Sequence, residues 1–120
     1  MKQKEEAKAM LEDLVGRSND IKSVIVATSD GITITGVNLS DAANRLSAMA
    51  AAALGLGKQL VNTAFSGELK EFMITGVKGQ VFIYSISSAS LLVVITKELP
   101  NVAMINWESQ KTISQLVTLE

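Results

Sequence analysis

Two runs of aliphatic residues constrain the fold of this chain more than any other feature. Residues 24–28 and 91–95 are apolar at both odd and even positions. A strand that is covered on only one face alternates apolar and polar residues, so these runs indicate strands buried on both faces of a sheet. The sequence therefore predicts a sheet that lies between two layers of helices.

Turn signals place the other strands around these two runs. Asp30 and Gly31 separate the strand at 24–28 from a second strand at 32–35, and an Asp-Gly pair in this position is a strong hairpin signal. Short links downstream predict three more strands that are antiparallel neighbours. These strands are predicted at 70–76, 80–86 and 90–96, and the last of them should be central.

Two segments before these last strands have the apolar periodicity of helices. The first helix is predicted at 2–15, with Gly16 as its C-cap. The second is predicted at 38–65, with Asn38 or Ser40 as its N-cap. Its predicted sheet-facing stripe consists of Leu46, Met49, Ala50, Ala53, Leu60, Val61 and Ala64.

A third helix is predicted to begin at Pro100, because proline is tolerated at the first position of a helix. The predicted fold class is therefore α+β, in the order α-ββ-α-βββ-α. A five-stranded antiparallel sheet with helices on both faces makes up a single domain, residues 1–120.

Composition excludes several classes of function. The chain has no cysteine and no histidine, so it can form neither a disulfide nor a zinc site built from these residues. Its formal net charge is −1, from 11 basic and 12 acidic residues, which gives no basic stripe for nucleic acid or for an anionic membrane. The charged N-terminus and the short apolar runs indicate neither a secretory signal nor a membrane span. We expect a cytoplasmic protein with no metal and no cofactor.

No group of residues predicts catalysis. The segment 55–59, Gly-Leu-Gly-Lys-Gln, has part of a phosphate-binding loop, but it lacks the first glycine and the final Ser or Thr of that motif. It also falls inside the predicted second helix. Glu68 and Glu71 are interpreted as charges at the start of a strand rather than as an acid–base pair. The chain is therefore not expected to be an enzyme.

The middle of the second helix is unusual because most of its residues are small, and no charged residue occurs between Arg45 and Lys58. Such a helix packs closely either on its own sheet or on the same helix of a second subunit. A solvated helix face should be richly charged, so the second interpretation is favoured. The residues predicted to lie off the sheet-facing stripe, in a dimer contact, are Ser47, Ala51, Leu54, Gly55 and Lys58.

The order and the lengths of these elements resemble the roadblock family, which includes roadblock-type dynein light chains and MglB-like regulators of small GTPases. The resemblance covers nearly the whole chain, and profilin-like and longin-like modules share part of it. The segments that carry it are 23–32, 41–60, 71–76, 79–83 and 91–95.

This resemblance implies a homodimer in which the long helices of two subunits pair. It also implies that the two sheets join edge to edge through the strand at 70–76, which places Phe72 and Ile74 in the dimer interface. The family typically docks Ras-like small GTPases, sometimes stimulating GTP hydrolysis, and has no active site of its own. Arg45 and Trp107 are the candidate partner-binding residues, since tryptophan is enriched at interface hot spots.

Two alternatives stay open at this point. One is a structural, light-chain-like scaffold subunit of a multi-protein complex with no GTPase partner. The other is an enzyme or a small-molecule sensor, which requires a pocket with convergent polar groups that the sequence does not indicate.

The predicted helix contact has a direct test. Ala51→Glu places a charge in a close-packed contact and is expected to convert the dimer into a monomer. Light scattering on the purified variant measures the change, and a variant that stays dimeric would contradict this choice of interface.

Overall fold

The structure, a computed structural model, describes residues 3–120. The predicted first residue of the first helix, Lys2, lies outside the described residues. The order of elements confirms the predicted α-ββ-α-βββ-α arrangement. In chain order they are α1 (Lys4–Gly16), β1 (Ile21–Thr28), β2 (Thr33–Val37), α2 (Ala43–Phe65), β3 (Phe72–Thr75), β4 (Gln80–Ser85), β5 (Ser90–Thr96) and α3 (Val102–Leu116), followed by a short 3-10 turn (Val117–Leu119).

The five strands form one antiparallel sheet in the order β2-β1-β5-β4-β3. The predicted central position of the last strand is confirmed, because β5 lies between β1 and β4. The two edge strands are β2 and β3. They are separated in the sheet by β1, β5 and β4, which contain most of the buried strand residues.

The two faces of the sheet carry two separate cores. Val24 and Val26 of β1 pack with Phe82 of β4 and with α1 and α3. Ile25 and Ala27 point to the opposite face and pack with α2. The absence of alternation in β1 therefore has the predicted cause, which is a layer of helices on each face.

Several predicted boundaries are wrong at the ends of the helices. Gly16 is the last residue of α1 rather than its cap. The second helix begins at Ala43 instead of residue 38, because Asn38 has a positive φ of 57° and neither Asn38 nor Ser40 occupies the N-cap position. Pro100 precedes the third helix, whose N-cap is Asn101. The Asn101 side chain accepts a hydrogen bond from the Met104 backbone N–H at 3.2 Å.

The strand predictions differ less from the structure. The last strand covers residues 90–96 as predicted, and β4 ends one residue earlier than predicted. β3 is shorter than the predicted 70–76, because its pairing with β4 extends only from Phe72 to Thr75. β2 covers 33–37 rather than 32–35, after a turn in which Gly31 has a positive φ of 91°.

An ion pair joins the end of α1 to α3. The Glu108 side chain is 10% exposed, and Arg17 donates a hydrogen bond to its carboxylate from Nε. The same guanidinium donates to Thr112 Oγ1 at 3.1 Å and also pairs with Asp13. A buried carboxylate in this position depends on Arg17 for compensation of its charge.

Replacing Arg17 by methionine is expected to destabilise the fold by about 3 kcal/mol, because it leaves Glu108 as a buried and unpaired charge. Urea unfolding followed by circular dichroism, at one fixed protein concentration, measures the loss. Asp13→Asn is the matched control, since Asp13 is 62% exposed, and it is expected to change the stability by less than about 0.5 kcal/mol. Similar losses in both variants would show that Glu108 does not depend on Arg17.

Candidate self-association surface

The side of α2 that packs on the sheet consists mainly of small residues. A Cβ atom added to Gly57 would lie 2.6 Å from the ring of Phe72 in β3. Any larger residue at this position requires the helix or the ring to move. The buried positions of α2 recur every three or four residues and are Ala43, Ser47, Ala50, Leu54 and Gly57.

Two of the predicted dimer-contact residues lie on this buried side. Ser47 is 0% exposed, and its Oγ atom lies 2.6 Å from Thr33 Oγ1 of β2. Leu54 is 6% exposed. The prediction that these residues face away from the sheet is wrong, because the buried side of α2 runs through Ser47, Ala50 and Leu54.

Three other bulky side chains of α2 point into solvent. Met49, Leu56 and Leu60 are 59%, 60% and 62% exposed. Met49 and Leu60 had been assigned to the sheet-facing stripe, and that assignment is also wrong. These three residues lie on one flank of the helix, since steps of seven and four residues return to nearly the same direction at 100° per residue.

This flank of α2 adjoins strand β3. A cleft of about 220 Å³ lies between them, and Met49 and Ile74 both line it. Ile74 is itself 45% exposed. We call the exposed residues Met49, Leu56, Leu60 and Ile74 the α2–β3 surface. The residues that line the cleft are all apolar: Leu46, Met49, Ala50, Ala53, Ile74, Val81, Ile83 and Val93.

The backbone of β3 is the second component of this region. β3 pairs only with β4, so its other edge carries backbone N–H and C=O groups without a strand partner. Phe72 and Ile74 point toward α2, whereas Met73, which is 46% exposed, points to the opposite face. The structure thus brings the predicted residues Phe72 and Ile74 next to the long helix.

The remaining predicted residues of α2 lie on its other flank. Ala51 is half-buried, while Gly55 and Lys58 are exposed. All three line a small depression of about 110 Å³ together with Ser29 and Ser87 of two hairpin turns. Gly55 has open space above it, with no atom within 4 Å of an added Cβ. The sequence-predicted interface is therefore divided between the buried side of α2, the flank of α2 that carries Gly55, and strand β3.

The two candidate partner-binding residues do not share a site. Arg45 is exposed near the start of α2. Trp107 is 65% exposed on α3, which packs through Ile105 and Ile113 on the opposite face of the sheet. A single small ligand cannot contact both side chains.

The groups with shifted pKa values lie away from the α2–β3 surface. Burial raises the pKa of Tyr84 to about 12, and its hydroxyl donates to Asn106 Oδ1 at 2.5 Å on the α3 side of the sheet. A hydrogen bond from the backbone N–H of Asn101, together with Lys97, lowers the pKa of Asp20. Neither group belongs to the α2–β3 surface, so that surface offers apolar contact rather than acid–base chemistry.

The comparison with known proteins identifies the family. The sequence matches the model of the Roadblock/LC7 domain family over residues 7–96, and the chain belongs to this family. No curated protein matches the sequence significantly.

Several solved structures have this fold. The Roadblock/LC7 domain from Streptomyces avermitilis has a TM-score of 0.84 and 19% identity, over 91% of this chain and 92% of that chain. Myxococcus xanthus MglB has a TM-score of 0.87 and 16% identity, over 99% of this chain and 90% of that chain. A further structure, described as MglB with tetrameric arrangement, has a TM-score of 0.86 and 12% identity, over 98% and 90%. At these low sequence identities, the similarity shows a shared fold and nothing further.

Two features that other functional classes require are absent from residues 3–120. No helix in this range is long and apolar enough to cross a membrane. No group of three or more acidic side chains in the same range is arranged to hold a metal ion.

Proposed function

We propose that this protein is a homodimeric, non-enzymatic roadblock adaptor that docks a Ras-like small GTPase. The observation that carries the proposal is the α2–β3 surface, where bulky aliphatic side chains lie exposed beside a strand edge that has no partner. Contiguous exposed apolar surface next to an open strand edge is typical of a protein–protein interface.

A second copy of the chain covers the exposed side chains of the α2–β3 surface and also pairs with the open edge of β3. Antiparallel pairing of two β3 edges extends the sheet across the subunits and supplies partners for the free backbone groups. The same twofold axis brings the Met49, Leu56 and Leu60 flank of one α2 against that of the other. Full burial of a Leu or Met side chain contributes about 1.5–3 kcal/mol, so the six side chains of two subunits supply a substantial driving force.

Leu56→Glu is expected to convert the dimer into a monomer, because it places a charge in the centre of the apolar contact. Light scattering measures the mass, and circular dichroism checks that the helices are retained. Ala51→Glu is the matched variant on the other flank of the same helix. With the contact assigned to the α2–β3 surface, Ala51→Glu is expected to leave the dimer intact, contrary to the expectation from the sequence alone. If Ala51→Glu dissociates the dimer and Leu56→Glu does not, the helices pair through the flank that carries Gly55, and the α2–β3 assignment is wrong.

GTPase docking is supported by membership of the Roadblock/LC7 family and by the fold shared with MglB. In a dimer built on the α2–β3 surface, the outermost line of each α2 stays accessible. Arg45, Ala52 and Gln59 lie along it at intervals of seven residues and are all exposed. Two such lines, one per subunit, offer a broad platform with a cation at one end of each, which suits contact with the switch loops of a GTPase.

An affinity capture from native lysate tests this docking, run in parallel with GDP and with a non-hydrolysable GTP analogue. We expect the wild-type bait to retain a small GTPase in one nucleotide state, and the Leu56→Glu monomer to retain at least about tenfold less. The purified pair then shows whether GTP hydrolysis is stimulated. Capture of other proteins with no GTPase in either lane would replace the GTPase adaptor with a light-chain-like scaffold.

A further inference from the structure

A second surface lies at the end of the sheet where β1 begins and where β3 turns into β4. A broad depression of about 570 Å³ occupies this end. Its floor includes Val81 and Ile95, which are half-buried. Val77 lies at the tip of the turn between β3 and β4 and is 93% exposed. Turns usually contain glycine, proline or small polar residues, so an exposed aliphatic residue at this tip is unusual.

The charged residues that line this depression are both lysines. Lys22 and Lys78 line it, and no acidic residue does. Lys97 lies at the same end of the sheet, but its Nζ atom pairs with Asp20 Oδ1 at 3.2 Å. Among the ion pairs of residues 3–120, none involves Lys22 or Lys78. The depression therefore has two uncompensated cations beside an aliphatic floor.

The backbone holds this arrangement in place. The turn closes with a hydrogen bond from the Gly76 N–H to the Gly79 C=O at 2.8 Å. The hydroxyl of Thr96 in β5 donates to the Lys97 carbonyl at 2.9 Å and lies 3.4 Å from the Gln80 carbonyl, just after the turn. A site that is fixed before binding loses less conformational entropy when a partner is bound.

From these features we propose that the depression, which we call the lysine depression, binds an acidic segment of a partner protein in which carboxylates alternate with aliphatic side chains. The carboxylates pair with Lys22 and Lys78, and the aliphatic side chains contact Val77, Val81 and Ile95. The proposal does not rest on GTPase docking. The lysine depression adjoins the α2–β3 surface, because Val81 lines both the depression and the cleft beside that surface. Its broad, aliphatic form suits an extended segment better than a small anion, which requires convergent donors.

An NMR titration of the full-length, 15N-labelled protein tests the proposal. The probe is an acetylated octapeptide of alternating glutamate and leucine, and the control peptide has glutamine in place of glutamate. We expect shifts of the backbone amides around the lysine depression with the acidic peptide, and none with the glutamine peptide. Raising the salt should weaken the binding, because the Debye length falls to about 3 Å at 1 M.

Charge reversal of both lysines, Lys22→Glu with Lys78→Glu, is expected to lower the affinity for the acidic peptide at least about tenfold. Reversal of two exposed lysines of α1, Lys4→Glu with Lys8→Glu, changes the net charge equally and should alter the affinity less than about twofold.

Three outcomes would overturn the proposal. The first is that no amide shifts at about 1 mM peptide, and the second is that both double variants lose the same affinity. The third is that the Lys22 and Lys78 double variant dissociates the dimer in light scattering while the peptide shifts persist, which would assign these lysines to self-association.

Discussion

The close approach of α2 to its own sheet and hairpin is the constraint on which the exposed surface depends. A Cβ atom at Gly57 would meet the ring of Phe72, and one at Gly31 would lie 2.8 Å from the Cα of Ala48. The helix therefore turns its small residues toward the sheet. Leu54 is buried there, but Met49, Leu56 and Leu60 lie on the outer flank, so an apolar surface remains outside the tightly packed chain.

The two glycines inside α2 show how this constraint divides the helix. Each costs about 1 kcal/mol of helix stability relative to alanine. Packing against Phe72 accounts for Gly57, since no side chain fits there. Gly55 has open space above it within the subunit, so packing inside the chain does not account for its cost. The unexplained cost of Gly55 is the reason to test both flanks of α2 for a contact with a second copy of the chain.

The sequence predicted the sheet well because the sheet is determined by local patterns. Unbroken apolar runs, an Asp-Gly turn and short links are enough to place five strands and to make β5 central. The phase of α2 was not predictable in the same way, because Met49 and Leu60 suggest a buried stripe when the helix is considered alone. The side of α2 that faces the sheet is determined by tertiary contacts such as Gly57 with Phe72. These contacts bury Ser47 and leave Met49 exposed.

The two edges of the sheet also differ in how far the rest of the chain covers them. At the β2 edge, α1 packs against the strand, and the Asn38 side chain, just after β2, donates to the Lys22 carbonyl of β1 at 3.0 Å. Proteins usually protect a free edge with a charge, a proline or a bulge. Phe72–Thr75 contains neither a charge nor a proline, and its register with β4 is regular. An unprotected edge beside an exposed aliphatic flank favours β3, rather than β2, as the strand that a second subunit extends.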